Sequence, residues 1–373
     1  MAQTAQSVFA WGKVQTNYTT EVAIANDGFR QICKEGYDKP VFSSPNVNNQ
    51  GYSTGSAFAT KTTKDKDDVT FSGTERATFE SLGFHAVGAF GTVAAPTEVV
   101  EDTVFTQLFS LLDPFVTDQL PCRPLVSKVG EPALEANRIH DVRFPSMTCE
   151  QISFSNEGNS PDMQINGSWR GSGKRVNPSG VQFYGAGKDV LHDDEMTEHF
   201  IKRTAGTLTL NDDESMGGTD VELGCDFRST NITINEELLA DAGYEGCALF
   251  QDDDPNKGAI RGSMRTKGQT VTFETIAVLS PGLVTDFDPV EKMIAGAVIS
   301  AELKYIGGVI NESHDFEATF TLNKAVIATA ELVEVDGGTQ GIKITTEPLA
   351  VGNIMPLTLL IKSDVPNFNA YVG

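Results

Sequence analysis

The C-terminal stretch constrains the fold most. Phe316 to Leu322, Val326 to Val335, Gly341 to Thr346 and Ile354 to Ser363 are successive runs rich in β-branched and apolar residues. Asp336-Gly337-Gly338 separates the second run from the third. Runs of this length bounded by turn residues read as strands. An Asp-Gly pair between two of them supplies the positive φ that a tight hairpin needs. This end of the chain therefore reads as a strand series.

The same signature recurs upstream. Val69 to Phe84 reads as strand, with Phe79 on one side and Thr78 and Glu80 on the other. Further strand signals lie at Val142-Arg143-Phe144, at Gln151 to Phe154, around Ile232 and Ile234, and from Ile260 to Leu279. Met163, Ile165, Gly167 and Trp169 share one face of another. Helical spacing is confined to Asp189–Arg203, with Leu191, Met196, Phe200 and Ile201 as its apolar positions, and to Pro289–Ile299, with proline at its start. The chain is thus mainly β. At about 150 residues per domain, 373 residues make two domains. The expected division is an N-terminal β domain (1–188) with an extended arm, a linking helix (189–203) and a C-terminal β domain (204–373). Asn46–Thr60 reads as loop or arm, and 91–137 as a long irregular insertion.

Two short echoes suggest a duplication. Thr78-Phe79-Glu80-Ser81-Leu82 matches Thr272-Phe273-Glu274-Thr275-Ile276, and His140-Asp141-Val142-Arg143-Phe144 resembles His314-Asp315-Phe316-Glu317-Ala318. A third similarity, Ile165–Arg170 with Ile260–Arg265, falls in a different register.

Lys+Arg number 28 and Asp+Glu 51, so the formal charge is 28 − 51 = −23. That balance argues against a chain whose main task is gripping phosphates with cations. Nowhere is there an apolar run long enough to span a bilayer as a helix. Met1 to Ala10 lacks the basic start and apolar centre of a secretory signal. Five scattered cysteines without a C-x-x-C pair read as free thilos of a reducing compartment.

No catalytic signature emerges. His192 and His199, with Asp193, Asp194, Glu195 and Glu198 between them, are the closest pair of histidines, but their spacing lacks H-E-x-x-H. His140-Asp141 and His314-Asp315 read as polar strand starts. Gly171-Ser172-Gly173-Lys174-Arg175 has glycines and cations without phosphate-loop spacing. Asp252-Asp253-Asp254 and Asn211-Asp212-Asp213-Glu214 lack the alternating ligands of a calcium loop. No residue set points to a cofactor, a metal or an enzyme.

Phe9-Ala10-Trp11-Gly12-Lys13-Val14-Gln15-Thr16-Asn17-Tyr18-Thr19-Thr20 resembles the opening of one family of tail tube proteins of tailed bacteriophages. Phe71-Ser72-Gly73-Thr74-Glu75-Arg76, then Phe79, then Gly83 to Gly91, look like that family's middle section. Arg143-Phe144-Pro145-Ser146-Met147-Thr148 resembles the strand after its long loop. The resemblance implies β-sandwich or β-barrel-like tube domains that polymerise into stacked rings around a DNA channel in the virion tail. The rings would be trimers of a duplicated chain or hexamers. Other tail proteins, such as a tape measure and a tail terminator, are the implied partners, and DNA passes without specific binding or membrane contact. Under this resemblance Glu80 and Glu274 are candidates to line the channel. Phe105, Leu108, Phe109, Leu111 and Leu112 are candidates to touch the next ring. Another virion β-protein (capsid, decoration or baseplate) and a polysaccharide-binding or hydrolysing β-protein remain open.

Overall fold

The computed structural model describes residues 6–15, 23–31, 41–43, 46–49, 61–64, 68–112, 120–130, 138–156, 162–171, 175–192, 199–214, 218–236, 238, 269–335, 337–350 and 355–371. The chain opens with β1 (Gln6–Gly12), β2 (Phe29–Gln31), β3 (Val41–Ser43), β4 (Asn46–Asn49), β5 (Lys61–Lys64) and β6 (Asp68–Arg76), followed by helix α1 (Phe79–Phe90). Next come β7 (Gly91–Val93), β8 (Thr97–Val100), β9 (Val104–Leu111), β10 (Cys122–Gly130), β11 (Arg138–Asn156), β12 (Gln164–Gly171) and β13 (Val190–Leu191). The second half holds β14 (Gly206–Asn211), β15 (Asp220–Glu222), β16 (Phe227–Asn235), β17 (Thr270–Val278), helix α2 (Pro289–Ala295), β18 (Val298–Asn311), β19 (His314–Val335), β20 (Thr339–Pro348) and β21 (Leu357–Ser363).

All described strands except β4 and β5 belong to one hydrogen-bonded sheet. Seven of them run antiparallel in the order β6–β12–β11–β16–β17–β20–β19. A second layer runs β8–β9–β21–β19–β18–β14–β15, with β7 beside β8 on the same edge of β9. β19 is common to both. Its first half pairs with β18 and β21, and its second half with β20. The inner faces of the two layers meet, as Phe154 on β11 packs against Phe320 on β19 with ring centroids 5.4 Å apart. A third group, β10, β1, β2 and β13, extends from the first half of β11 over a smaller core that includes Val8, Phe29, Val126 and Phe183.

The mainly-β expectation holds, and so does the hairpin at its Asp-Gly turn. Val335 pairs with Thr339 across that turn, where Gly337 and Gly338 take φ of 71° and 112°. The short helix behind Pro289 also forms, with the Asp288 carboxylate accepting from Glu291 N–H at its start. Strand pairing crosses the expected domain boundary. β9 pairs with β21 and β11 with β16, and residues from both spans share one core.

Three expectations need correction. Thr78 to Phe90 is not strand but the capped start and body of α1. Thr78 Oγ1 accepts from Ser81 N–H at 2.9 Å, and Ser81 Oγ accepts from Thr78 N–H at 2.8 Å. That reciprocal cap satisfies donors a helix start leaves open, and it overrides the strand pattern. The matching string Thr272–Ile276 lies in β17, so this echo does not mark equivalent positions. The third echo falls on 260–265, outside the described residues, as do 252–254, 172–174 and 50–60.

The insertion 91–137 is also not an irregular loop. It carries β7, β8, β9 and all of β10, and β9 is flanked on both sides by paired strands. Finally, the described part of 189–203 holds no α-helix, only the first residue of a 3-10 turn at Arg203–Ala205. Val190 and Leu191 pair in parallel with β2, and Phe200 bridges to Thr78. Residues 193–198 lie outside the described residues.

α1 is buried at every position but Gly88. It therefore shows no amphipathic stripe, because a helix enclosed by a core has no solvent face, and its few polar residues, Glu80, Ser81 and His85, are buried as well. Gly83 makes room for Phe368, since a Cβ there would stand 2.3 Å from the ring. Gly83→Ala gains about 1 kcal/mol of helix propensity, but overpacking costs about 1–3 kcal/mol. We expect a lowered urea midpoint for Gly83→Ala, and a loss of about 1 kcal/mol for Thr78→Ala. A raised midpoint for Gly83→Ala contradicts the packing.

Candidate functional surface

On the outer face of the first layer, side chains line up in rows across the strands. Ser72, Ser168, Gln151, Asn235 and Thr270 are successive register partners across β6, β12, β11, β16 and β17. Thr74, Asn166, Ser153, Thr233 and Thr272 form the next row. Arg76, Gln164, Ser155, Asn231, Glu274 and Thr345 form a third, which reaches β20. The first two rows hold no ionisable group over a width of about 19 Å, at about 4.8 Å per strand spacing.

Alternation builds this face. In β11, Ile152 and Phe154 turn inward while Gln151 and Ser153 turn outward. In β16, Ile232 and Ile234 turn inward between Asn231, Thr233 and Asn235. A shallow groove runs over Ser72, Gly73, Thr74, Gln151, Ser153 and Asn166. Beneath it, Gly167 leaves space for the Trp169 indole, which a Cβ would meet at 2.3 Å.

The face also satisfies itself. Thr74 Oγ1 donates to Asn166 Oδ1 at 2.7 Å, and Asn166 Nδ2 donates to Ser155 Oγ at 3.1 Å. One amide thus ties three strands together. Such cross-strand pairs contribute roughly 0.2–1 kcal/mol each. Charge enters the face as opposite-sign pairs. Arg76 binds Asp162, Arg170 lies 3.4 Å from Glu150, and Lys343 lies 3.0 Å from Glu274.

Glu274 is therefore on this outer face, half-buried and ion-paired. Glu80 is not its counterpart. It sits in the first turn of α1, 4% exposed, and its carboxylate bonds the ring of His199. The strand alternation that turned it outward does not exist there. Of the apolar candidates in β9 and just after it, Phe109, Leu111 and Leu112 are buried within the chain and Phe105 is half-buried. Leu108 alone is exposed, at 42%, opposite the exposed Leu360 of β21.

The histidines do not converge. His192 bonds Gln31 Oε1 and the Phe183 carbonyl, whereas His199 bonds the Glu80 carboxylate. Among the described residues no group of three His, Cys, Asp or Glu is placed to hold a metal. Cys122 and Cys149 are free thiols, and burial pushes Cys122 up to about 12. No described helix is long and apolar enough to cross a membrane.

A charged cluster lies under the same layer. Glu75, on the inner side of β6, accepts from Arg30 at 3.1 Å and contacts His85 Nε2 at 3.0 Å. All three are buried, and the Arg30 and Arg123 guanidinium groups stand over the Phe84 ring. Burial is the main cause that pushes His85 below its ordinary range, against the pull of Glu75. The neutral ring donates to Glu75 and links β6 to α1. Sequence reading missed this cluster because its members come from β2, β6 and α1, and nothing local marks them.

No family model matches the chain, and no curated protein matches it. Among solved structures, it is similar to the SPP1 tail tube determined by solid-state NMR and cryo EM. That likeness has 12% identity and a TM-score of 0.29, and covers 45% of this chain and 81% of that one. It is also similar to a crystal structure of Hcp protein, at 11% identity and a TM-score of 0.21, over 38% of this chain and 87% of that one.

Glu75→Gln leaves Arg30 buried without its charge partner and should cost about 3–5 kcal/mol in a denaturant titration. His85 sets a pH dependence. Its folded pKa lies below its unfolded value of about 6.5, so the unfolded chain binds the extra proton first. Its contribution is present above about pH 6.5 and declines as pH falls below that. We expect His85→Gln to flatten the wild-type loss of stability between about pH 6.5 and 5. An unchanged slope contradicts a neutral buried His85.

Proposed function

We propose that this chain is the subunit of a self-assembling tail tube, with the hydroxyl–amide face of the first layer turned to the channel. The observation that supports this most is the pair of uncharged rows, five strands wide, on a chain of net charge −23. DNA moving along a wall is held wherever cations displace its counterions. Serine, threonine, asparagine and glutamine keep the wall wet without supplying such cations. The Arg76, Arg170 and Lys343 charges beside the rows are matched by carboxylates, so they add little net attraction. The resemblance at Phe9–Thr20 and Phe71–Gly91 agrees with this role.

The reading places the chain in stacked rings of six copies in a virion tail, next to tape-measure and terminator proteins. The six-copy ring is preferred to a trimer of a duplicated chain because the Thr78 string starts a helix while the Thr272 string lies in a strand, which removes one of the echoes that suggested a duplication. Carbohydrate recognition is the weaker reading for the groove. Sugar sites need exposed aromatic faces, and Trp11 and Trp169 are 2% and 6% exposed.

Concentrated protein should form hollow tubes under negative-stain electron microscopy, and those tubes should not retain duplex DNA at any salt concentration. Ser168→Lys with Thr233→Lys should give tubes that hold DNA at low salt and release it as salt rises. Protein that stays dispersed, or wild-type tubes that bind DNA with a steep salt dependence, overturns the reading.

A further inference from the structure

β19 is 22 residues long and has two hydrogen-bonding flanks. β20 and β21 occupy one flank along its length, because each overlaps residues that β18 pairs from the opposite side. On the other flank β18 stops at Val326. Among the described residues, β19 pairs from Ile327 to Val335 with β20 alone. After a bulge between Ile327 and Thr329 the register is regular from Thr329 to Val335. That is an open edge of roughly 23 Å at about 3.3 Å per residue.

Helix α2 packs against β19, but its 7 residues span only about 10 Å at 1.5 Å each. It cannot shield the whole edge. This segment, Thr329-Ala330-Glu331-Leu332-Val333-Glu334-Val335, carries two exposed glutamates but neither the lysine nor the proline that most often guards an edge strand. Leu332 is 70% exposed. An open, regular, β-branched edge with an exposed leucine is a template for another strand.

The opposite end of the same sheet supplies one. Among the described residues β8 pairs only with β9, and Val99 is the extra residue of a bulge there, 44% exposed and without a register partner in β9. β8, β9, β21 and β19 are joined by three antiparallel steps, so β8 and β19 run in opposite directions. β8 also lies beyond the β21 flank, whereas the open edge of β19 is on the β18 flank. A neighbour placed by rotation therefore brings its β8 to the open edge of β19 in antiparallel sense. Such a head-to-tail contact uses two different surfaces, and it forms a ring where the rotation between copies closes.

We infer that the second half of β19, Thr329–Val335, pairs with β8 of an adjacent copy of this chain. The inference rests on the tube reading for its ring, but the strand pairing itself can be read separately. Leu332→Lys with Val335→Lys places two cations on the edge and leaves the core untouched. The variant should keep its circular dichroism and melting temperature, yet sediment as monomer at concentrations where wild type assembles. As a second measurement, Leu332→Cys protein mixed with Val99→Cys protein should cross-link through a short bis-maleimide between positions 332 and 99, mapped by mass spectrometry.

Lysine variants that assemble as wild type does overturn the pairing and leave the tube reading standing. Leu332→Cys copies that cross-link only to one another show two-fold pairing of like edges and overturn it as well. A 332–99 link in closed oligomers that never stack supports the pairing and removes the tube reading.

Discussion

Everything in this chain hangs on the backbone hydrogen bonding of β19. Its first half completes the second layer between β18 and β21, and its second half closes the first layer against β20. The strand is thus the hinge over which one sheet becomes two packed layers. A single long strand can serve both only if its inward side chains stay apolar throughout, and Phe316, Ala318, Phe320, Leu322, Ala325 and Ile327 are all buried. Past Ile327 the strand keeps its pairing with β20 and Ala330 still packs against the core, while Leu332 stands in solvent.

With the layers fixed, the outer face of the first follows from period-two alternation. Each strand contributes two or three short polar side chains, and the register sets them opposite one another. Asn166 then has Thr74 on one side and Ser155 on the other within hydrogen-bond reach. The chain's abundant carboxylates are not concentrated here. The second layer presents a different outer face, with Leu108 and Leu360 exposed and Glu317 held between Lys304 and Lys362. The two outer faces are chemically distinct, which is what a subunit with an inside and an outside requires.

Strand existence was legible wherever alternation was strong and turn residues were explicit. Phe316 to Val335, the Asp336-Gly337-Gly338 hairpin and the Pro289 helix are examples. Register was not legible, because it depends on which strands become neighbours. Ser153, Asn166 and Thr233 look like ordinary solvent-side residues until pairing sets them in one row. α1 was misread because a buried helix rich in Phe, Ala and Gly lacks an amphipathic period. The available signal was the cap, Thr78 followed three residues later by Ser81. Glu80 was misplaced with it. The apolar run in β9 reads as a contact for the next ring because the sequence does not show that β21, far downstream, pairs with it.

The central claim is that the uncharged rows of the first layer form the wall of a channel. A cryo-EM reconstruction of the assembled polymer tests it most directly. The account predicts Asn166, Ser153 and Thr233 facing the lumen, with Leu108, Leu360 and Lys304 on the outside or at subunit contacts. A lumen lined by Leu108, Leu360 and Lys304, with the hydroxyl–amide rows on the exterior, contradicts it.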